Sequence, residues 1–107
     1  MTPIPIKVRR KLALDPWMKK CCYCGAQPVE WDHALKYSGR QIQEWYAIVP
    51  LCKDCHRGEN GTISREVRDF TKLLAITRGI RALNTDYPKY DWLQEKRYLE
   101  GKLKSYL

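Results

Sequence analysis

Two Cys-x-x-Cys pairs constrain this chain more than any other feature of its sequence. The first pair is Cys21 and Cys24, and the second is Cys52 and Cys55. Two intervening residues hold two thiolates one tight turn apart, so both can reach the same tetrahedral zinc, and two such pairs fill all four ligand positions. We therefore predict one structural zinc ion per chain, with no ligand position left for a substrate.

A fifth cysteine and a histidine bear on the choice of ligands. Cys22 is separated from Cys24 by a single residue, which is too short for the turn, so Cys22 is interpreted as a packing residue or an inert thiol. His56 directly follows Cys55, and a Cys3His site with His56 in place of Cys55 is the alternative ligand set.

The composition indicates one basic domain. The chain has 107 residues, which is enough for a modest core but few enough that a bound zinc would contribute materially to folding. It carries 20 Lys and Arg against 12 Asp and Glu, a formal net charge of +8. Four thiolates on one zinc would remove about two of these positive charges. A polyanionic partner is therefore expected.

The hydropathy pattern argues against a membrane protein. No run approaches the roughly 18 consecutive apolar residues that a transmembrane helix needs, and the first six residues lack the apolar core of a signal peptide. We expect no membrane partner and a cytoplasmic location, where reduced, zinc-binding thiols are favoured over disulfides. A redox use of the cysteine pairs is disfavoured because no βαβ pattern surrounds either pair.

The segment before the first cysteine pair, residues 1 to 14, is predicted to be an extended basic arm, because its prolines disfavour a helix. A solvated, partly disordered tail is the alternative. Asp15 followed by Pro16 then predicts a short helical turn that ends near Lys20. The basic residues of the arm are Lys7, Arg9, Arg10 and Lys11.

The region between the cysteine pairs predicts a β-hairpin. Residues 29 to 34 alternate well enough for a first strand, and the apolar run of residues 45 to 51 is short enough for a second. Residues 37 to 40 carry a loop signature. A helix should begin at Lys53 and be interrupted by a turn at residues 58 to 61.

Residues 63 to 107 are predicted to form a helical extension. Ser64 offers the N-cap of a long helix that runs to Gly79, residues 84 to 90 read as a linker, and Asp91 precedes a last helix. The apolar stripe of the last helix is interpreted as core packing or an oligomer contact, with a nucleic-acid stacking surface as the alternative. This stripe consists of Trp92, Leu99, Leu103 and Tyr106.

Three side chains beside the cysteine pairs have a different chemistry. Asp32 and His33 are consecutive residues between the pairs, and His56 follows the last cysteine. Carboxylates and imidazoles of this kind hold or assist a catalytic cation. Over residues 17 to 70 the constellation resembles the HNH, or ββα-metal, endonucleases, particularly the zinc-stabilised branch that includes phage recombination endonucleases cutting branched DNA.

The resemblance implies a fold and a set of roles. The fold would be α+β, with a small zinc-stabilised ββα-metal, treble-clef-like core at residues 15 to 62, an added N-terminal arm and C-terminal helices. Asp32 and His56 would hold one catalytic Mg²⁺ or Mn²⁺, and His33 would act as the general base. Glu30 would join the cation only if the first strand is regular.

The chain departs from the HNH signature at its middle Asn. That residue usually lies a few positions before the second cysteine pair, but residues 47 to 51 contain no Asn. In the family this Asn braces the loop and takes no part in the chemistry, so its loss bears on the subfamily more than on the nuclease assignment.

The predicted function is a metal-dependent DNA endonuclease or nickase that hydrolyses phosphodiester bonds with weak sequence specificity. The resemblance implies 5′-phosphate and 3′-hydroxyl products and a bacterial or phage-infected cell, with recombination of branched DNA, packaging or restriction as roles. DNA is the expected partner; a homodimer and contacts with phage or host recombination or packaging proteins are left open. Contacts to DNA are expected from Lys7, Arg9, Arg10, Lys11, Arg40, Arg57, Arg65 and Arg68.

The competing hypothesis is a non-catalytic zinc module that binds nucleic acid or protein through its basic surface. Such a module would keep the cysteines and the basic residues but would have no reason to bring Asp32, His33 and His56 together.

Overall fold

In the part of the chain that the structure describes, four short strands lie between an N-terminal helix and three further helices. This computed structural model describes residues 4–37, 39–58, 61–82 and 90–106. The helices are α1 (Ile6–Ala13), α2 (Lys53–Arg57), α3 (Arg65–Arg81) and α4 (Trp92–Lys104). The strands are β1 (Val29–His33), β2 (Lys36–Tyr37), β3 (Arg40–Gln41) and β4 (Ile48–Cys52), and two 3-10 turns cover Pro16–Lys19 and Trp45–Ala47. Within the described residues these elements form a small α+β fold with two antiparallel sheets.

The central sheet pairs β1 with β4, as the alternating and apolar runs predicted. Trp31 lies opposite Pro50, and every residue of β4 is buried. Pro50 is tolerated because a two-stranded sheet leaves one edge of each strand without a partner strand. On that edge the carbonyl of Pro50 accepts a hydrogen bond of 2.9 Å from the N–H of Cys22. The sheet is thereby joined directly to the first cysteine pair.

The second strand begins three residues later than its apolar run predicted. The backbone of Trp45–Ala47 forms a 3-10 turn, closed by a hydrogen bond of 3.0 Å from the N–H of Ala47 to the carbonyl of Glu44. The turn brings the ring of Tyr46 edge-on against that of Trp92 in α4. Packing against a distant helix therefore overrides the local preference of aromatic residues for a strand.

The described residues of the expected loop at 37 to 40 belong to a small hairpin. Lys36 of β2 lies opposite Gln41 of β3, and Tyr37 lies opposite Arg40. Gly39, with φ of 78°, provides a positive-φ position in this turn.

The expectation of an extended N-terminal arm is wrong for residues 6 to 13, which form helix α1. Pro5 lies at the N-cap, where a proline removes no helical hydrogen bond, so it precedes the helix without breaking it. Val8 and Leu12 are four residues apart and share a helix face. Leu12 is buried in a cluster with Met18 and Ile48, against which Val8 also packs. The predicted arm therefore contributes side chains to the hydrophobic core.

The helix-capping predictions are confirmed. Asp15 accepts a hydrogen bond of 3.0 Å from the N–H of Trp17, and Ser64 accepts one of 3.2 Å from the N–H of Val67. Each cap satisfies a backbone donor that the first helical turn leaves without a partner.

Part of the apolar stripe of α4 packs in the core, as its spacing predicted. Leu99 is buried, and the indole of Trp92 packs against the core formed by α3 and the central sheet. Contact between the two helices is close at Gly79, where an added Cβ would lie 2.8 Å from the ring of Trp92. Tyr106 donates a hydrogen bond of 2.7 Å to the buried carboxylate of Asp69 in α3.

Several sequence predictions fall outside the described structure in part. The residues not described include 1 to 3 of the predicted arm, 38 of the predicted loop, 59 and 60 of the predicted turn, and 83 to 89 of the predicted linker. Among the described helices, none combines the length and the apolar composition required to cross a membrane.

Candidate metal centre and the adjoining polar site

The two cysteine pairs meet at one end of the central sheet. Cys21 and Cys24 lie in the loop that precedes β1, whereas Cys52 ends β4 and Cys55 lies in α2. Their four sulfur atoms all lie within 4.8 Å of one another, and the Sγ atoms of Cys24 and Cys52 are 3.6 Å apart. Two sulfurs bound tetrahedrally at about 2.3 Å from one zinc would be about 3.8 Å apart. The four predicted cysteines therefore form one cluster at ligand distance, consistent with one structural Zn²⁺.

The electrostatics of the cluster favour a bound cation. Burial opposes ionisation of Cys21, yet backbone hydrogen bonds at Cys52, Cys24 and Tyr23 lower its pKa to about 6. Burial, followed by the neighbouring thiols, raises the pKa of Cys55. Four thiolates at this spacing repel one another, and a divalent cation removes that repulsion.

Cys22 and His56 both lie outside the four-sulfur cluster. The pKa of Cys22 is raised to about 12, mainly because burial disfavours the thiolate and then because of the charge on Cys21. That shift agrees with the interpretation of Cys22 as an inert packing residue. The Cys3His alternative is wrong, since Cys55 belongs to the cluster and His56 contacts two carboxylates of β1.

The imidazole of His56 lies between the carboxylates of Glu30 and Asp32. Its Nδ1 donates a hydrogen bond of 2.8 Å to Oε1 of Glu30, and its Nε2 lies 3.3 Å from Oδ1 of Asp32. Glu30 and Asp32 are two residues apart on a regular strand and so share a face. The structure therefore brings Asp32 and His56 together. The hydrogen bond from His56, together with that from Arg57, lowers the pKa of Glu30.

Two of the arginines expected to contact DNA are paired with these carboxylates. Arg68 in α3 contacts both oxygens of Asp32, at 2.7 Å from Nη1 to Oδ2 and 3.4 Å from Nη2 to Oδ1. Arg57 donates a hydrogen bond of 2.7 Å to Oε2 of Glu30. Both side chains remain partly exposed, so each adds positive charge at the rim of the site.

His33 is buried and held by a residue that carried no sequence signal. Its Nε2 lies 2.9 Å from Oε1 of Gln43. Where Gln43 presents its amide oxygen to the ring, that oxygen accepts, so Nε2 carries the proton and the lone pair of the neutral ring belongs to Nδ1. Gln43 lies in the loop between β3 and the second 3-10 turn, and no motif or periodicity distinguishes it from other loop residues.

His33 and Asp32 also line a cavity of about 300 Å³. The other lining residues include a glutamine and three basic side chains. They are Ala34, Lys36, Gln41, Arg68 and Lys72. Lys36 and Lys72 were not among the predicted site residues, because they come from separate elements that only the tertiary fold brings to one cavity.

A backbone hydrogen bond closes the segment that lacks the signature Asn. Ala47 is completely buried, and its carbonyl accepts a hydrogen bond of 2.8 Å from the N–H of Ala34. This bond joins the chain just after β1 to the chain just before β4. A side-chain brace at residues 47 to 51 is therefore not required to close this part of the loop.

The remaining basic residues predicted to contact DNA are distributed over the surface. The ammonium of Lys11 lies over the ring of Trp45, 4.5 Å from its centroid. The others are exposed side chains, namely Lys7, Arg9, Arg10, Arg40 and Arg65.

Comparisons with family models, with curated proteins and with solved structures found no match to this chain.

Proposed function

We propose that this chain is a metal-dependent DNA endonuclease or nickase of the ββα-metal type, stabilised by the four-cysteine zinc site. The order of the central elements supports the proposal, because β1, β4 and α2 carry Asp32, the second cysteine pair and His56 in the sequence in which that type uses them. DNA as the partner and a cytoplasmic location in a bacterial or phage-infected cell belong to the same proposal.

The contact between His56 and Asp32 carries the argument. When Nδ1 of His56 donates to Glu30, a neutral ring has its lone pair on Nε2, which lies 3.3 Å from an oxygen of Asp32. Two electron-rich atoms at this distance require a proton or a metal ion between them. A carboxylate on the far nitrogen is also the usual partner of a metal-binding histidine.

The donor set fits a small divalent cation. Adjacent ligands of an octahedral ion bound at about 2.1 Å are about 3.0 Å apart, close to the distance between Asp32 and His56. One carboxylate with one imidazole leaves the remaining positions to water and substrate phosphate, an arrangement suited to Mg²⁺ or Mn²⁺. Such a cation would bind the scissile phosphate and stabilise charge on the leaving oxygen.

The other catalytic and positioning roles fall to residues around the proposed cation site. His33, with Nδ1 free to accept, would take a proton from the attacking water, while Gln43 holds the ring in that tautomer. Glu30 orients His56, and Arg68 orients Asp32 while bringing a positive charge beside the phosphate. With few base-reading elements, recognition by DNA shape is expected in preference to a long defined sequence.

A specific observation favours the non-catalytic zinc module as the second candidate. Arg68 contacts both oxygens of Asp32, and Arg57 and His56 contact Glu30, so these charges also form a closed ion-pair network without any cation. In that case the network would fix α2 and α3 against β1, and the basic surface would only bind nucleic acid or protein.

A cleavage panel separates the two candidates. Supercoiled plasmid, linear duplex, single strand and four-way junction would be incubated with Mg²⁺, with Mn²⁺ and with EDTA, using purified wild type and His33→Ala. We expect cation-dependent cleavage by the wild type only, with DNA binding retained by both proteins. If both bind DNA and neither cuts any substrate, or if both cut equally, the nuclease proposal fails.

A further inference from the structure

The cavity beside Asp32 and His33 has the charge of an anion site. Its basic lining residues are Lys36 at the start of β2 and both Arg68 and Lys72 on α3, against the single carboxylate of Asp32. Arg68 and Lys72 are four residues apart and so lie on the same face of α3. Asp32 compensates Arg68. In the part of the chain that the structure describes, neither Lys36 nor Lys72 has an ion-pair partner.

The size of the cavity and one of its polar atoms also suit a ligand. About 300 Å³ corresponds to roughly ten water molecules at about 30 Å³ each, enough for a phosphate with part of its attached sugar. Gln41 also lines the cavity, and its side-chain amide group can donate a hydrogen bond to a phosphate oxygen.

We propose that this cavity is a phosphate-binding subsite in which Lys36 and Lys72 hold a backbone phosphate next to the one that is cut. The identification of that phosphate as part of a DNA strand rests on the proposed nuclease function. The strand would then pass from the two lysines, along His33, to Asp32 and His56. Cations from two separate elements would fix its path across the site by charge, without reading bases.

The first test measures phosphate binding without any divalent cation added. Inorganic phosphate would be titrated into ¹⁵N-labelled protein at constant ionic strength, with zinc content and the amide spectrum confirming the fold. We expect saturable shifts at the side-chain amide of Gln41 and the backbone of residues 33 to 36 in the wild type, and their loss in Lys36→Gln/Lys72→Gln. The matched control is Lys19→Gln/Lys104→Gln, which removes two exposed lysines outside the cavity and should behave as wild type.

The second test asks whether the phosphate belongs to a strand. The dependence of DNA affinity on salt concentration would be measured for the same proteins, again without divalent cation. Losing the one phosphate contact that the two lysines share should reduce the slope of log K against log salt by about one in the cavity variant. The control variant should keep the wild-type slope. The single variants Lys36→Gln and Lys72→Gln, each lowering the slope by part of that amount, extend the test if the double variant does not fold.

Several outcomes would overturn the inference. Phosphate-induced chemical-shift changes that are spread evenly over the surface lysines, or that are equal in the cavity and control variants, would contradict the subsite. Phosphate binding in the cavity with an unchanged DNA slope would mean a site for free phosphate and would sink the strand assignment. Neither test depends on cleavage. If the wild type cuts no DNA, but the salt slope of DNA binding is smaller in the cavity variant than in the wild type, the phosphate subsite is supported and the nuclease proposal is rejected.

Discussion

Asp32 and His56 come from a strand and a helix on either side of the second cysteine pair, yet Oδ1 of Asp32 lies 3.3 Å from Nε2 of His56. The four-cysteine cluster explains this contact, because Cys52 and Cys55 anchor the junction between β4 and α2 to the loop before β1. The four-cysteine cluster therefore positions the polar site beside it. The predictions below separate residues that maintain this framework from residues that would act on DNA.

Loss of a cluster cysteine should prevent folding, whereas loss of Cys22 should not. Cys24→Ser or Cys52→Ser removes a ligand that links the two ends of the hairpin, so we expect insoluble or unfolded protein without zinc. Cys22→Ser should keep one zinc per chain after dialysis, as measured by metal analysis. Loss of zinc from the Cys22 variant, with retention in Cys21→Ser, would show that the ligand assignment is wrong.

Replacing His33 should abolish the chemistry without disturbing the framework. His33→Ala is expected to keep its zinc, its thermal unfolding temperature and most of its DNA affinity, while cleavage falls by about two or more orders of magnitude, the usual effect of losing a general base. The measurement is a single-turnover cleavage rate at saturating protein. A rate equal to that of the wild type would exclude His33 as the base.

Gln43→Ala should give a smaller loss with a distinct signature. Without the acceptor at 2.9 Å, the proton of His33 is no longer directed to Nε2, so a smaller fraction of the rings has a free Nδ1. We expect a fall in kcat of about ten-fold, with KM unchanged, and a pH profile of kcat different from that of the wild type. Gln43→Glu, which keeps an acceptor, should recover part of the rate. Equal losses in both variants, with no change in the pH profile, would indicate a structural role only.

Cation affinity should depend on the two proposed ligands and on the residue behind one of them. Asp32→Ala and His56→Ala are expected to weaken Mn²⁺ binding strongly, with cleavage partly recovered at high Mn²⁺ concentration. Glu30→Gln keeps an oxygen acceptor for Nδ1 of His56 but removes its charge, and should weaken Mn²⁺ binding by about ten-fold or more. Titration of zinc-loaded protein with Mn²⁺ provides the measurement. Unchanged Mn²⁺ affinity in all three variants would leave these residues as an ion-pair network.

The contact between α3 and α4 predicts opposite effects at two helical glycines. A Cβ at Gly79 would lie 2.8 Å from the ring of Trp92 and 3.1 Å from that of Tyr46, so Gly79→Ala should destabilise the fold by about 1–3 kcal/mol. A Cβ at Gly101 meets nothing within 4 Å, so Gly101→Ala should stabilise α4 by about 0.5–1 kcal/mol. Denaturant unfolding of the two variants measures both effects. A change in unfolding free energy of the same sign in both variants would contradict the close packing of α3 against α4 at Gly79.

Local features of the sequence were sufficient for the metal centre and for most secondary structure. Two residues between cysteines set the geometry of each pair, so the clustering of Cys21, Cys24, Cys52 and Cys55 could be predicted without a fold. The caps at Asp15 and Ser64 act on backbone groups two or three residues away. The approximate alternation of residues 29 to 33 and the apolar run that ends in β4 were likewise sufficient to predict two strands of a hairpin.

Where distant contacts decided the outcome, the sequence was insufficient. Prolines near the start suggested an extended arm, but burial of Leu12 against Met18 and Ile48 stabilises a helix there, and that burial depends on the folded core. The roles of Gln43, Lys36 and Lys72 likewise had no sequence signal. The hydrogen bond to His33 and the shared cavity both depend on which elements lie close together in the fold. Side-chain periodicity along one element does not indicate which other elements pack beside it.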